Sequence, residues 1–202
     1  MSDYQFEQLE TLLLVRMHLK TLPRGEKEKL RMMAADYLEF RGRVDRFFAT
    51  YFGNVCNNAC YQNRRSACCS REGIITFFAD VVVNQLFSDD GEIGLLADAL
   101  RQENNSMKCV YLGPGGCRWK IKPVVCQMFL CEPAKARVFR DHPAAEGEWA
   151  ELERERKKFT WPDRPVLFDI LEKYFIAMGC GSPLMYMHQN PGLLRVKKKA
   201  GL

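Results

Sequence analysis

The sequence contains little histidine and no long apolar run. Only 3 of its 202 residues are His, so neither a catalytic triad nor a site built from imidazole ligands is indicated. No stretch reaches the roughly 18 consecutive apolar residues of a membrane-spanning helix. The first twenty residues carry Asp3, Glu7 and Glu10 before a short apolar run, whereas an export signal starts with positive charge. We therefore expect a cytoplasmic protein that does not enter a membrane.

The charge balance and the glycine pattern also exclude classes of ligand. Lys and Arg number 30 against 25 Asp and Glu, a formal net charge of +5, which is too weak to indicate a nucleic-acid surface. No G-x-G-x-x-G loop is present, and the Gly-Pro-Gly-Gly run at 113–116 is not followed by Lys-Ser or Lys-Thr. A phosphate-binding loop is therefore not predicted.

Cysteine, by contrast, is abundant, with 9 residues in the chain. An odd number cannot be fully paired in disulfides, and thiols of cytoplasmic proteins stay reduced. Metal ligation is the interpretation that remains. Eight of the cysteines fall into two groups of four, which are Cys56, Cys60, Cys68 and Cys69, and then Cys109, Cys117, Cys126 and Cys131.

The spacing within the groups differs in what it predicts. Cys56 and Cys60 are separated by three residues, so that a single turn can direct both sulfurs at one ion. The adjacent Cys68 and Cys69 project in different directions in extended chain, so they serve different ions or one of them is not a ligand. All eight cysteines are candidate metal ligands, and the spacing is compatible with either one metal site or two. Cys180, His18, His142 and His188 lie outside the ligand spacing and are expected to be packing or surface residues.

The hydrophobic periodicity predicts a mainly α fold, a helical single domain around a Cys-rich metal-binding core with a small hairpin. Residues 1–52 are predicted to form a helical hairpin, 53–135 the Cys-rich core, and 136–202 the C-terminal helices and a basic tail. The hairpin or knuckle is expected at 109–117, where a Gly/Pro turn separates two short apolar stretches. The predicted helices are 4–22, 26–52, 74–87, 92–102, 124–130, 144–159 and 166–178.

Two runs of sequence resemble a known family. They are C-N-N-A-C at 56–60 with C-C-S-R-E-G-I at 68–74, and C-V-Y-L-G-P-G-G-C-R-W-K-I-K-P-V-V-C at 109–126. The chain resembles there the cysteine-cluster proteins described as zinc- or iron-chelating domains, or as Fe-S-cluster-containing proteins, which include the flagellin lysine N-methylase. The second run keeps the family's Cys109, Leu112, Gly116, Cys117, Pro123 and Cys126.

The cysteines are compatible with two kinds of metal centre, zinc and an iron–sulfur cluster. Four thiolates complete the coordination of a zinc ion, so eight cysteines would form two closed structural zinc sites. A 4Fe-4S cluster also takes four thiolates and is favoured by apolar surroundings. Such residues flank the cysteines, namely Val55, Tyr61, Val110, Trp119, Val125, Met128 and Phe129. The resemblance favours iron–sulfur, for which we prefer Cys56, Cys60, one of Cys68 and Cys69, and one cysteine of the second group.

Three functions follow as hypotheses. The first is a Cys-ligated iron–sulfur protein that acts in electron transfer or supports a modification reaction. The second is a zinc-stabilised protein-interaction module. The third, protein lysine N-methylation, is implied by the resemblance alone. Each of them implies a protein partner or a protein substrate.

Overall fold

The computed structural model describes residues 2–56, 58, 69–70, 75–161 and 163–201. This part of the chain is mainly helical and includes a two-stranded hairpin, which confirms the predicted helical class and the predicted hairpin. None of the helices within these ranges is long and apolar enough to cross a membrane.

The elements follow one another with short connections. The chain up to Cys56 forms α1 (Asp3–Thr21), α2 (Arg24–Met33), α3 (Ala35–Phe47), a π-helix (Phe48–Phe52) and α4 (Gly53–Cys56). The middle forms α5 (Phe78–Phe87), α6 (Asp90–Arg101), β1 (Leu112–Gly113), β2 (Gly116–Cys117) and α7 (Val124–Gln127). The last part forms α8 (Glu132–Asp141), α9 (Pro143–Thr160), α10 (Leu167–Ala177), α11 (Tyr186–Gln189) and α12 (Pro191–Ala200).

Side-chain caps define where two of the helices begin. Ser2 precedes α1, and its hydroxyl accepts a hydrogen bond from the Gln5 N–H at 3.3 Å. Asp89 precedes α6 and accepts from the Glu92 N–H at 2.8 Å, while the Glu92 carboxylate accepts from the Asp89 N–H at 2.9 Å. This reciprocal pair is a capping box, which satisfies N–H groups that the first helical turn leaves without partners.

Helix α5 lies at the centre of the fold. Its residues Phe78 to Leu86 are all buried, because α1, α2 and α10 pack around it. A helix that is apolar on nearly every side is stable in water only when other elements cover it. The Phe78 ring is fully buried and meets the Phe175 ring of α10 with the ring centres 5.1 Å apart.

A second part of the core is aromatic and joins α3 to α9. Phe47 at the end of α3 stacks on Trp149 of α9 with the ring centres 5.5 Å apart. Phe52 of the π-helix lies 5.7 Å from Phe47 and meets Phe139 of α8 edge to face. The two helices of the predicted N-terminal hairpin thus have extensive contacts with later helices: α1 packs on α5 and α6, and α3 on α9.

The predicted helices differ from the structure in several places: α5 begins only at Phe78, α7 already ends at Gln127, and α8 lies where no helix was predicted. A single helix over 26–52 is wrong, because Ala34 adopts φ −89° and ψ −1° between α2 and α3, and the last residues are π-helical. Residues 53–56, where an irregular segment was expected to start, form α4, and most of that expected segment lies outside the described residues. The basic tail, residues 195–199, lies within α12.

Truncation of Phe78 tests the central position of α5. Loss of a fully buried phenyl ring leaves a cavity, so we expect Phe78→Ala to lower the free energy of unfolding by about 3–5 kcal/mol. Phe6→Ala is the matched control, because Phe6 is 56% exposed on α1 and surface changes stay within about 0.5 kcal/mol. Urea unfolding followed by circular dichroism measures both, and equal losses would contradict the central role of α5.

Candidate metal centre

The hairpin brings two cysteines of the second group together. β1 and β2 pair antiparallel, with Leu112 opposite Cys117 and Gly113 opposite Gly116. Gly116 has φ 109°, a conformation that residues with a Cβ rarely adopt. On the other side of the turn, the Cys109 carbonyl accepts a hydrogen bond from the Leu112 N–H at 3.0 Å, which turns Cys109 back towards the hairpin.

Backbone N–H groups near the sulfur of Cys109 influence its thiol. Burial raises the pKa of the Cys109 thiol to about 11, while hydrogen bonds from the N–H groups of Tyr111 and Leu112 act in the opposite direction. Donors that contact the charged form of a thiol stabilise it. The nearby N–H groups therefore favour a thiolate, which is the form that binds a metal.

Cys117 has the same kind of surroundings. Burial raises the pKa of its thiol, and the Trp119 N–H and the charge of Lys122 lower it. At both hairpin cysteines, the N–H two residues further along the chain thus lowers the pKa of the thiol against the effect of burial. Hydrogen bonds to ligand sulfurs are one of the means by which proteins adjust a thiolate metal site.

Cys126 lies on α7 and belongs to the same region. The pKa of Cys109 is raised further by the charges of Cys117 and Cys126, which places the three thiols within electrostatic range of one another. All three are partly buried. Repulsion between neighbouring thiolates is relieved when a metal ion binds them.

Two polar side chains of α5 hold the segment that leads into α7. Asp80 accepts a hydrogen bond from the Val124 N–H at 3.0 Å, and Asn84 accepts one from the Ile121 N–H at 2.9 Å. Both side chains are buried, with 2% and 1% exposed. Because a buried N–H without a partner is costly, these bonds fix the path of the chain just before Cys126.

A buried arginine of α3 holds the same segment from the other side. The Arg41 guanidinium donates to the Lys122 carbonyl, to the Gln127 side chain and to the Tyr37 hydroxyl, the last at 2.7 Å. Gln127 donates in turn to Asp45. Arg41 therefore contacts the chain on both sides of Cys126.

The first cysteine group meets the second through the backbone. The Cys109 N–H donates to the Cys69 carbonyl at 2.9 Å, and Ser70 forms an antiparallel bridge with Lys108. Cys56 is exposed at the end of α4. Cys60 and Cys68 lie outside the described residues. The structure thus joins one cysteine of the first group to the second group.

Cys131 precedes α8 as its N-cap residue and packs against the core. Among the described residues, no three His, Cys, Asp or Glu side chains are arranged as a metal-binding group. The ligand set of eight cysteines therefore remains a prediction.

Three supporting residues were missed by the sequence analysis. Asp80 and Asn84 interrupt the apolar run of α5 four residues apart, and Arg41 interrupts the apolar stripe of α3. Polar residues on an otherwise buried helical face are a detectable signal, because burial requires them to have partners. Their partners, which lie some forty to eighty residues away, could not be inferred from periodicity.

Two further clusters lie away from the hairpin. The Cys180 sulfur is 3.9 Å from Nδ1 of His18, which packs on the Phe175 ring. His188 contacts the buried Glu172 of α10 at 3.1 Å, and Glu172 also accepts a hydrogen bond from the Met187 N–H at 3.3 Å. The second cluster connects α10 to α11.

Comparison of the chain with protein-family models, with curated proteins and with solved structures gives no match.

The carboxyl of Asp80 generates a prediction about pH. Burial raises its pKa to about 6 from 3.8, against the opposing effects of Arg41 and of the N–H groups of Phe77 and Val124. The folded protein binds this proton more tightly than the unfolded chain. Its contribution to stability is therefore present below pH about 4 and is lost as the pH rises through about 6, amounting to about 3 kcal/mol.

Asp80→Asn removes this titration. We expect the stability of the wild type to fall relative to that of the variant between pH 4 and 7, as measured by urea unfolding at each pH. Parallel pH profiles of the two proteins would show that Asp80 has an ordinary pKa.

Proposed function

We propose that this chain is a thiolate-ligated metal-binding protein whose site includes Cys109, Cys117 and Cys126 of the second group. The observation that carries the proposal is that Cys109 is hydrogen-bonded through its backbone to Cys69 of the first group, while backbone N–H groups near the sulfurs of Cys109 and Cys117 favour their charged forms. Thiols in an ordinary core need no such donors, because a protonated Cys packs as a small apolar side chain. A bound metal would convert these thiols to thiolates, for which the donors are favourable.

The first group would complete the ligand set. The backbone bond between Cys109 and Cys69 and the bridge between Ser70 and Lys108 hold the two segments side by side. In the proposal, one of Cys56, Cys60, Cys68 and Cys69 supplies the fourth thiolate, and Cys131 is a further candidate. This assignment agrees with the resemblance of both runs to the cysteine-cluster family.

The surroundings favour an iron–sulfur cluster over zinc. Tyr111, Trp119 and Met128 are each no more than 5% exposed, and they follow closely after cysteines of the second group. Apolar walls that limit access of water favour a cluster, whereas a structural zinc site needs no such wall. A cluster held there would supply one-electron chemistry, in electron transfer or in support of a modification reaction.

Metal and sulfide analysis tests the proposal. Protein purified without oxygen is expected to contain about four iron and four acid-labile sulfide per chain, the content of one 4Fe-4S cluster. We expect Cys109→Ser to lose most of both. Cys180→Ser is the matched control, since Cys180 lies beside His18, and it should keep the wild-type content.

Other results distinguish the alternatives. A content of about one or two zinc ions per chain without sulfide would show that the cysteines form structural zinc sites and not a cluster. The function would then be expected in protein partners that bind the helical surface. Wild-type protein free of both metals, or metal that Cys109→Ser retains in full, would overturn the proposal.

A further inference from the structure

A cavity lies between α3 and the segment that leads into α7. Its volume is about 200 Å³, which is smaller than the pockets of roughly 300–1,000 Å³ that hold drug-sized ligands. Its polar lining consists of the side chains of Arg41, Asp45, Lys120, Lys122 and Gln127. Three of these side chains are cationic and one is acidic, so the charge around the cavity favours a small anion.

Arg41 is the buried member of this lining, with 4% of the residue exposed. Its guanidinium donates to the Gln127 side chain, the Lys122 carbonyl and the Tyr37 hydroxyl, which are neutral acceptors and take three of its five N–H donors. In the part of the chain that the structure describes, no carboxylate forms an ion pair with it. Asp80 accepts two backbone N–H groups and acts on Arg41 only over a longer distance. A bound anion would therefore be the direct partner for this charge.

The two lysines lie at the mouth of the cavity, where both are exposed. Lys120 is paired with Glu92, with Nζ 2.9 Å from a carboxylate oxygen. Lys122 forms no ion pair with a described residue. Asp45, the acidic residue of the lining, accepts a hydrogen bond from Gln127. Lys122 can therefore contact an incoming anion without first giving up a carboxylate.

Gly42 gives the cavity part of its space from the side of α3. Glycine inside a helix is less favourable than alanine, so its presence there needs a reason. Within 4 Å, a Cβ at this position would meet only the Arg46 guanidinium, at 3.6 Å. Neither packing nor a left-handed backbone conformation requires glycine here. Room for a ligand is a reason that the position of Gly42 supplies.

We propose that this cavity binds a small metabolite with a carboxylate or phosphate group, whose negative charge lies between Arg41 and Lys122. Both groups are oxyanions, which guanidinium and ammonium groups bind through charge-assisted hydrogen bonds. The inference goes beyond the proposed metal-binding function and does not require it. The site nevertheless adjoins the cysteine region, because Gln127 follows Cys126 in the chain.

Isothermal titration calorimetry of the full chain, purified without oxygen and held in phosphate-free Tris buffer, provides the test. The probes are inorganic phosphate, pyrophosphate, succinate and citrate, with glycerol as the neutral control. We expect one-to-one binding of at least one of the four anions and none of glycerol. Lys122→Gln should weaken this binding about tenfold, because it removes one charge-assisted hydrogen bond.

Lys173→Gln is the matched control for charge. Lys173 is exposed on α10 and does not line the cavity, so this variant loses the same charge elsewhere and should bind as the wild type does. Equal weakening by Lys122→Gln and Lys173→Gln would mean that the anions respond only to the net charge of the protein, which would overturn the inference.

Gly42→Ala tests the space in the cavity. We expect it to raise the midpoint of thermal unfolding without ligand, since alanine favours the helix, and to weaken anion binding about tenfold, since its methyl group occupies part of a small cavity. If glycine served only the fold, Gly42→Ala would lower the midpoint and leave the affinity unchanged, and the inference would be overturned.

The probes also identify the ligand group. Binding of phosphate and pyrophosphate alone supports a phosphate ligand, and binding of succinate or citrate alone supports a carboxylate. A wild type that binds none of the four anions at concentrations up to about 10 mM overturns the inference. Iron and sulfide are measured on the same samples: a chain that holds its cluster and binds no anion overturns this inference alone, and one that binds an anion without metal overturns only the proposed function.

Discussion

The hydrogen bonds from the loop before α7 to α5 are the interaction on which the cysteine region depends. Helix α5 is buried on nearly all sides, yet it carries Asp80 and Asn84, whose oxygens accept the N–H groups of Val124 and Ile121. Residues 118–123 have little regular structure of their own. Their position therefore comes from the central helix, and the thiols on either side of them are placed by the same core that stabilises the fold.

Arg41 of α3 holds the segment around Cys126 from the side opposite to α5. A buried guanidinium needs its donors satisfied, and here a phenol, a side-chain amide and a main-chain carbonyl accept them. Asp80 is close enough for Arg41 to lower its pKa against the effect of burial. Electrostatics and main-chain hydrogen bonds thus act on the same few residues, and a change at either position is transmitted to the chain around Cys126.

Helical periodicity predicted most of the elements, because long amphipathic stripes report directly which face is buried. It failed at Ala34, where the apolar stripe continues although the backbone turns. The hairpin was predictable because a Gly/Pro turn between two short apolar stretches, here ending at Gly116, is typical of a β-hairpin. The grouping of the cysteines indicated a thiolate site, whereas Arg41, Asp80 and Asn84 depend on contacts between distant segments. Such contacts follow from packing, for which the sequence has no local signal.

The bridge between Ser70 and Lys108 has a consequence for chain entropy. It closes a loop that contains α5 and α6, and closing a flexible loop of roughly forty residues costs about 3 kcal/mol. Here α5 and α6 both pack on α1, and the ends of the loop already lie side by side. A metal ion bound by thiolates of both cysteine groups would be a second link between these two segments. Because the segments are already adjacent, little of the free energy of metal binding would be needed to close the loop between them.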